Sequence, residues 1–334
     1  MRPEEINYII PNDATTLRYG QKTLNFFGKL HYLKIVTKAY WDINKFYKNA
    51  LKEKECYYGP FKGEFGHFLL HNLPFLMHLH KCGVKINYCG LELHKSFLVD
   101  DKGNSIIYKY YPLRDFFSET PPSSNRVVPP NDVQVEINKF HIIAKDSKKA
   151  FLNIADNDMY WFVFRNWQLK KNRQFLYSLE NVYKTKIENS CVIFPRKKGN
   201  AFTLNNGGPW DYLDVAKAVS PYFDKVYITG HPGMSAELES EGNIEVCLSA
   251  DNKVVIQKCS NASLIITQHS GAVHIGAYSN TMVLLIFNGK PPIKGLIDTI
   301  RFRVNLTQIP LSYAFNRDEI INFVKTLSLR RPYK

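Results

Sequence analysis

The chain has no cysteine pair at metal-binding spacing. Its six cysteines, at positions 56, 82, 89, 191, 247 and 259, stand singly in apolar or mixed surroundings. Buried free thiols in a reducing compartment are therefore expected. The beginning, MRPEEINYIIPND, lacks a basic stretch followed by an apolar one, so no secretory signal is expected. No apolar run approaches the length of a transmembrane helix. Without secretion, the glycosylation-type triplets at Asn261 and Asn305 carry little meaning. No GxGxxG follows a strand with an acid about 20 residues later, which argues against a dinucleotide-dependent oxidoreductase. Acidic side chains are also in short supply. Asp and Glu total 30 against 44 Lys and Arg, a net charge of +14. Such an excess fits anionic partners: a phosphorylated substrate, nucleic acid or an anionic membrane surface.

What is present suits a folded α/β protein. The chain has 334 residues, 45% of them apolar and 14% aromatic, enough for two domains with separate cores. A boundary near residue 185 divides an N-terminal domain, 1–185, from a C-terminal one, 186–315. A last helix in 316–334 would be able to pack back on the first domain. In the first half, 30–50 reads as a helix or a strand–helix pair, with lysines between the apolar positions. That pattern also suits a basic amphipathic face on anionic lipid. A glycine-spaced loop, Gly63-Glu64-Phe65-Gly66-His67, leads into a helix over 68–83. Phe68, Leu69, Leu73, Leu76, Met77 and Leu79 form its inner face, and Gly83 is its cap. Val84–Tyr88 is the next strand, and 106–111 is a candidate strand. Pro129-Pro130-Asn131-Asp132 reads as surface-loop punctuation. The aromatic and basic stretch 160–173 reads as an inter-domain helix.

The second half alternates more cleanly. Strands are expected at 190–194, 225–229, 244–248, 264–266 and 282–287. Helices are expected at 210–223, 235–241, 253–259, 272–278 and 317–327. This is the pattern of a doubly wound parallel sheet. Three loops then fall at strand C-termini: Pro195-Arg196-Lys197-Lys198-Gly199-Asn200, Thr229-Gly230-His231-Pro232-Gly233, and Gln268-His269-Ser270-Gly271. In a parallel sheet they converge on one edge. Backbone N–H groups, a hydroxyl and cations there suit a diphosphate.

The block ASLIITQHSGAVHIGAYSNTMVLLIFNG resembles the nucleotide-sugar signature of the ADP-heptose lipopolysaccharide heptosyltransferases. That signature is a strand, Asp-Thr-Gly-x-x-His, an Ala-rich helix, Thr, an apolar strand and Phe-Gly. Ser270, Gly271, His274 and Thr281 match its Thr, Gly, His and later Thr, and Phe287 to Gly289 its Phe-Gly. His269 stands at the acid. FPRKKG…GPWDYLDVAKAV and VYITGHPGMSAELE resemble further family segments, so the likeness covers roughly 190–290.

The resemblance implies an α/β protein of the GT-B fold, two Rossmann-like domains facing a cleft. It implies a glycosyltransferase moving a sugar from a nucleotide diphosphate donor to a glycan or glycolipid acceptor, with inversion and without a metal. The donor is a substrate, and no cofactor is expected. Donor contacts fall on Arg196, Lys197, Gly230, His231, His269, Ser270, Gly271 and His274, although His274 also suits a core position. The family places an Asp base in a glycine-containing loop before its first helix. Glu64 and His67 are the candidates here, while a tight turn with His67 capping the next helix is the plainer alternative. His71, His78 and His80 lack a carboxylate or cysteine to complete a ligand set, so no metal site is expected. The expected location is the cytoplasm, with or without peripheral contact at an anionic membrane face. A basic nucleic-acid or polyanion-binding protein without catalysis is the alternative, motivated by the charge and by 160–173.

Overall fold

The computed structural model describes residues 26–63, 65–116, 119, 128–154, 160, 163, 177–197, 210–268, 270–288 and 311–329. Among these, α1 (Phe26–Glu53) buries Val36, Ala39, Ile43, Phe46 and Ala50. Their spacing of three and four residues places them on one helical face. Lys54, at φ 54°, ends the helix in the left-handed region and turns the chain into β1 (Glu55–Phe61). The expected helix after β1 is present as α2. It runs through Phe65–His67, a π-helical segment Phe68–Asn72 and Leu73–Lys81. The six inward residues expected for it are all fully buried. Asn72 steadies the π segment: its side chain donates to the His67 carbonyl at 3.2 Å and accepts from Tyr58 Oη at 2.6 Å. Gly83, at φ 71°, lies in the left-handed region just past the helix.

The strands β2 (Lys85–Leu91), β3 (Lys109–Leu113) and β4 (Ala150–Leu152) join β1 in a parallel sheet of order β3-β2-β1-β4. Between β3 and β4 runs α3 (Asn131–Asp146), whose Val133, Ile137, Phe140 and Ala144 are buried. The loop expected at 129–132 is thus corrected. Pro129 is buried, Pro130 is the residue before α3, and Asn131 and Asp132 begin it. A proline there suits a helix start, where its missing N–H has no partner to lose.

The second sheet contains β5 (Ser190–Phe194), β6 (Lys225–Ile228), β7 (Ile244–Val246), β8 (Leu264–Thr267), β9 (Val283–Ile286) and β10 (Leu311–Ala314). All its ladders are parallel and the order is β10-β9-β8-β5-β6-β7. The chain therefore builds outward from β5 to β7, returns to β8 on the other side of β5, and builds outward again. That is the doubly wound Rossmann order. The short helix α4 (Glu180–Tyr183) precedes this sheet. Helices α5 (Tyr212–Val219) and α6 (Asn252–Asn261) cross over between strands. Each begins at an aspartate cap, Asp211 or Asp251, accepting from backbone N–H groups of its first turn.

Gly271–His274 and α7 (Ile275–Ser279) form one short helical run between β8 and β9. Asn280, at φ 53°, closes it. Thus the strand, short helix and second strand expected within 263–289 are present among the described residues, while His269 of the turn and Gly289 lie outside them. The helix expected at 235–241 is not present. Ser235 pairs with Arg196 as an isolated bridge, Ala236 N donates to Pro195 O at 2.7 Å, and Glu241 pairs with Ile244. This segment spends its backbone hydrogen bonds on neighbouring loops rather than on itself. The tail helix α8 (Arg317–Leu329) buries Ile320 and Val324 among Val215 and Val219 of α5, and Arg317 pairs with Asp214 at 2.9 Å. Its described packing is on the second sheet's side.

The two sheets share one apolar core, in which Phe68, Phe97 and Ile86 adjoin Val192, Ile265 and Tyr278. Tyr278 reaches across: its hydroxyl donates to Leu69 O at 2.5 Å and its ring meets Phe97 edge-on. All six cysteines are free; Cys56, Cys89, Cys191 and Cys259 are buried, and Cys82 and Cys247 are partly exposed.

Candidate functional site at the facing sheet edges

A doubly wound sheet leaves a crevice beyond the carboxyl ends of the strands where its winding reverses. In the second sheet that point lies between β5 and β8. Arg196 and Lys197 follow β5, and Gln268, Ser270 and Gly271 follow β8. In the first sheet the reversal lies between β1 and β4, and Lys62, Gly63 and the start of α2 follow β1. The two edges face each other. A Cβ on Gly271 would stand 2.8 Å from Gly66 N, and one on Gly66 would stand 3.1 Å from Gly271 Cα. A side chain at Gly271 would force the two turns apart, and one at Gly66 would be a tight fit.

The sequence-predicted loops of the second sheet do come together. Lys197 N donates to Met234 O at 2.9 Å, joining the loops after β5 and β6. Arg196 is half-buried and Lys197 exposed. Tyr212, close to Arg196, is tied to the loop after β8: its hydroxyl donates to Gln268 Oε1. Burial raises the Tyr212 pKa, and the nearby Arg196 charge opposes the rise. Ser270 caps the short helix, its Oγ accepting from Ala272 N at 3.2 Å and lying 3.2 Å from Thr267 Oγ1. His274 is buried, with Cδ2 3.7 Å from the place a Gly66 Cβ would occupy. Gly230, at φ 147°, is confined by Ser235 Oγ, 2.7 Å from its would-be Cβ.

His231 is held on both ring nitrogens. Nδ1 accepts from Gly233 N at 3.1 Å, which leaves the hydrogen on Nε2. Nε2 donates to Asp115 Oδ2 at 2.5 Å, across from the loop after β3. Met234, on the same turn, packs against the first sheet's Leu93, Leu113 and Phe116 cluster. Arg114 braces the Asp115 loop by donating to Glu119, Asp132 and the Asp115 carbonyl. Those carboxylates hold the Arg114 pKa above its usual range.

Of the two candidate bases, Glu64 lies outside the described residues, as does His269 among the donor contacts. His67 is half-buried in the first turn of α2, its ring 5.6 Å edge-on from His71. Just before it, burial lowers the pKa of Lys62, a half-buried cation at the end of β1. Behind the Gly66 turn, His94 is fully buried, stacked on Phe68 at 3.9 Å and hydrogen-bonded through Nδ1 to Tyr88 Oη at 2.9 Å. Its pKa is pushed down to about 3 by that burial, so it is neutral. Sequence reading placed Gln268 in the turn after β8 but passed over Lys62, Asp115 and Tyr212. The available signal for Asp115 was its place just beyond an apolar strand end, but that strand had no firm limits in sequence. Among the described residues no group of three His, Cys, Asp or Glu side chains gathers as a metal site.

No known family profile matches the sequence, and no curated protein matches it. Solved structures do match in shape. E. coli heptosyltransferase WaaC with ADP-2-deoxy-2-fluoro heptose matches with a TM-score of 0.50 and 10% identity, over 81% of this chain and 98% of that one. E. coli ADP-heptose LPS heptosyltransferase II gives 0.48 and 10%, over 83% and 98%. A glycosyl transferase family 9 protein from Veillonella parvula gives 0.42 and 14%, over 83% and 97%. The likeness to WaaC is one of fold: two parallel α/β sheets in the GT-B arrangement.

Proposed function

We propose that the chain is a glycosyltransferase, moving a sugar from a nucleotide diphosphate donor to a glycan or glycolipid acceptor. The observation that carries this reading is the Gly66–Gly271 approach, which sets the winding-reversal edges of two Rossmann-type sheets against each other. A donor bound at one edge and an acceptor at the other would then meet in a single cleft. In this reading residues 1–185 form the acceptor side and 186–315 the donor side.

The donor diphosphate would lie against the loops after β5, β6 and β8. Arg196, Lys197 and backbone N–H groups of the Ser270-Gly271 turn would stabilise the leaving group's charge, which removes the need for a metal. Gly230, His231, His269 and His274 would shape that pocket. For inversion, the acceptor hydroxyl oxygen bonds to the anomeric carbon as the bond from that carbon to the diphosphate oxygen breaks. The nucleoside diphosphate leaves with the electron pair, and Glu64 or His67 takes the hydroxyl proton. Asp115, holding His231 from the acceptor side, would fix the closure of the cleft.

The test is a thermal-shift screen against nucleotides and nucleotide sugars, followed by donor-turnover assays. Ser270→Ala is expected to lose the ligand shift. One of Glu64→Gln and His67→Gln is expected to lose turnover while still binding donor. A protein that neither binds nor slowly hydrolyses any nucleotide sugar would refute the reading.

A further inference from the structure

The outward face of α1 plays no part in either the core or the cleft. Leu30, Leu33 and Trp41 are 48%, 38% and 62% exposed on it. Lys34, Lys38, Lys45, Lys48 and Lys52 are exposed beside them. At 3.6 residues per turn these eight positions share an arc of about 140°. Of the acids of α1, Glu53 is half-buried and accepts from Ala150 N at 2.7 Å. Asp42 accepts from Tyr160 Oη at 2.9 Å and pairs with Lys38 at 2.5 Å, which leaves Lys34, Lys45, Lys48 and Lys52 as the cations of the face that no acid of α1 pairs. Lys45 Nζ lies 4.9 Å from the centre of the Trp41 ring. The face is therefore a stripe of cations around an exposed indole and two leucines.

Its place relative to the cleft follows from chain direction. One residue, Lys54, separates α1 from β1, so the two run antiparallel and the beginning of α1 lies toward the carboxyl edge of the first sheet. The seven residues of β1 span about 23 Å. Trp41 stands about 18 Å up the helix from Glu53. The indole is thus near the level of the cleft edge, and Leu30 and Leu33 lie beyond it.

We propose that this face of α1 docks the protein on an anionic lipid bilayer. The lysines meet acidic headgroups, the indole sits at the headgroup level, and the leucines enter the acyl boundary. The inference rests on the glycosyltransferase reading in one respect: docking by this face would hold the acceptor edge of the cleft near the bilayer.

The test is co-sedimentation of the full chain with vesicles of phosphatidylcholine alone, or with an equal part of phosphatidylglycerol. Wild type is expected to sediment with the anionic vesicles only. Replacing Lys34, Lys45, Lys48 and Lys52 together by Gln is expected to weaken binding about a thousandfold. Trp41→Ala should weaken it about tenfold. Trp41→Phe should abolish a blue shift of indole emission on vesicle addition. An unchanged melting curve shows that each variant folds. Equal binding to neutral vesicles, or no loss in the lysine variant, overturns the proposal. So does a face that captures single-stranded oligonucleotide and no vesicle. A nucleotide-sugar thermal shift retained without vesicle binding removes the docking and leaves the enzyme reading. Vesicle binding with no such shift does the reverse.

Discussion

Two of the contacts between the sheets at the cleft differ in chemistry. At Gly66 and Gly271 the contact is backbone on backbone, close because neither residue has a side chain. At Asp115 and His231 it is a hydrogen bond between two side chains, one from each edge, and both partly reach solvent. The first contact is steric and either fits or fails. The second is polar and exchangeable, since each partner can turn to water when the edges part. A cleft built this way has one fixed point and one latch. The difference between them can be broken experimentally.

The largest effect is expected at the fixed point. Gly271→Val forces β-branched bulk into a space where a single Cβ would meet Gly66 N at 2.8 Å. Overpacking of this kind costs about 1–3 kcal/mol. Chemical denaturation should show that loss, and donor turnover should fall with it.

Acid should weaken the same side through His94, which packs behind the Gly66 turn. Its folded pKa, about 3, lies below the ordinary value of 6.5 because the ring is buried. The unfolded chain therefore binds this proton first. The stability owed to a neutral His94 is complete above pH 6.5 and is lost progressively as pH falls toward 3. The slope approaches about 1.4 kcal/mol per pH unit. Denaturation midpoints measured from pH 7 to 5 should fall for wild type. They should fall less for His94→Phe, whatever that variant's stability at neutral pH.

Tyr278→Phe leaves the Leu69 carbonyl without its 2.5 Å donor. A loss of about 1–2 kcal/mol is expected by denaturation, because the acceptor stays buried. The smallest stability change belongs to the latch. Asp115→Asn keeps an acceptor for His231 Nε2 and removes a charge, and about 1 kcal/mol or less should be lost. Its larger effect should be kinetic. If the latch holds the closed cleft, donor KM rises in Asp115→Asn and His231→Ala alike, and the double variant is no worse than either single one.

The second sheet was legible because its strands are buried runs separated by short helices and polar turns. Ser190–Phe194 and 263–289 carry that signal undiluted. The 235–241 segment misled because its composition suits a helix, while its backbone hydrogen bonds go to Pro195 and neighbouring turns. In the first half, α3 was missed although Val133, Ile137, Phe140 and Ala144 keep helical spacing, because two prolines before it read as a loop. With α3 missed, β4 and the limits of β3 were obscured, and with them Asp115. The approach of Gly66 to Gly271 joins residues some 200 positions apart. Each glycine read locally as a turn, and only the meeting of the two edges gives a reason for both. The resemblance in 190–290 pointed to the donor side. The acceptor side had no comparable signature, and Glu64 and His269 lie outside the described residues.

The most direct test of glycosyl transfer is nucleoside diphosphate release from a panel of nucleotide sugars, measured for wild type and Ser270→Ala beside a donor-binding titration. Slow release from at least one donor is expected for wild type, with loss of both binding and release in the variant. Release from none, with no donor bound at saturating concentration, would contradict glycosyl transfer.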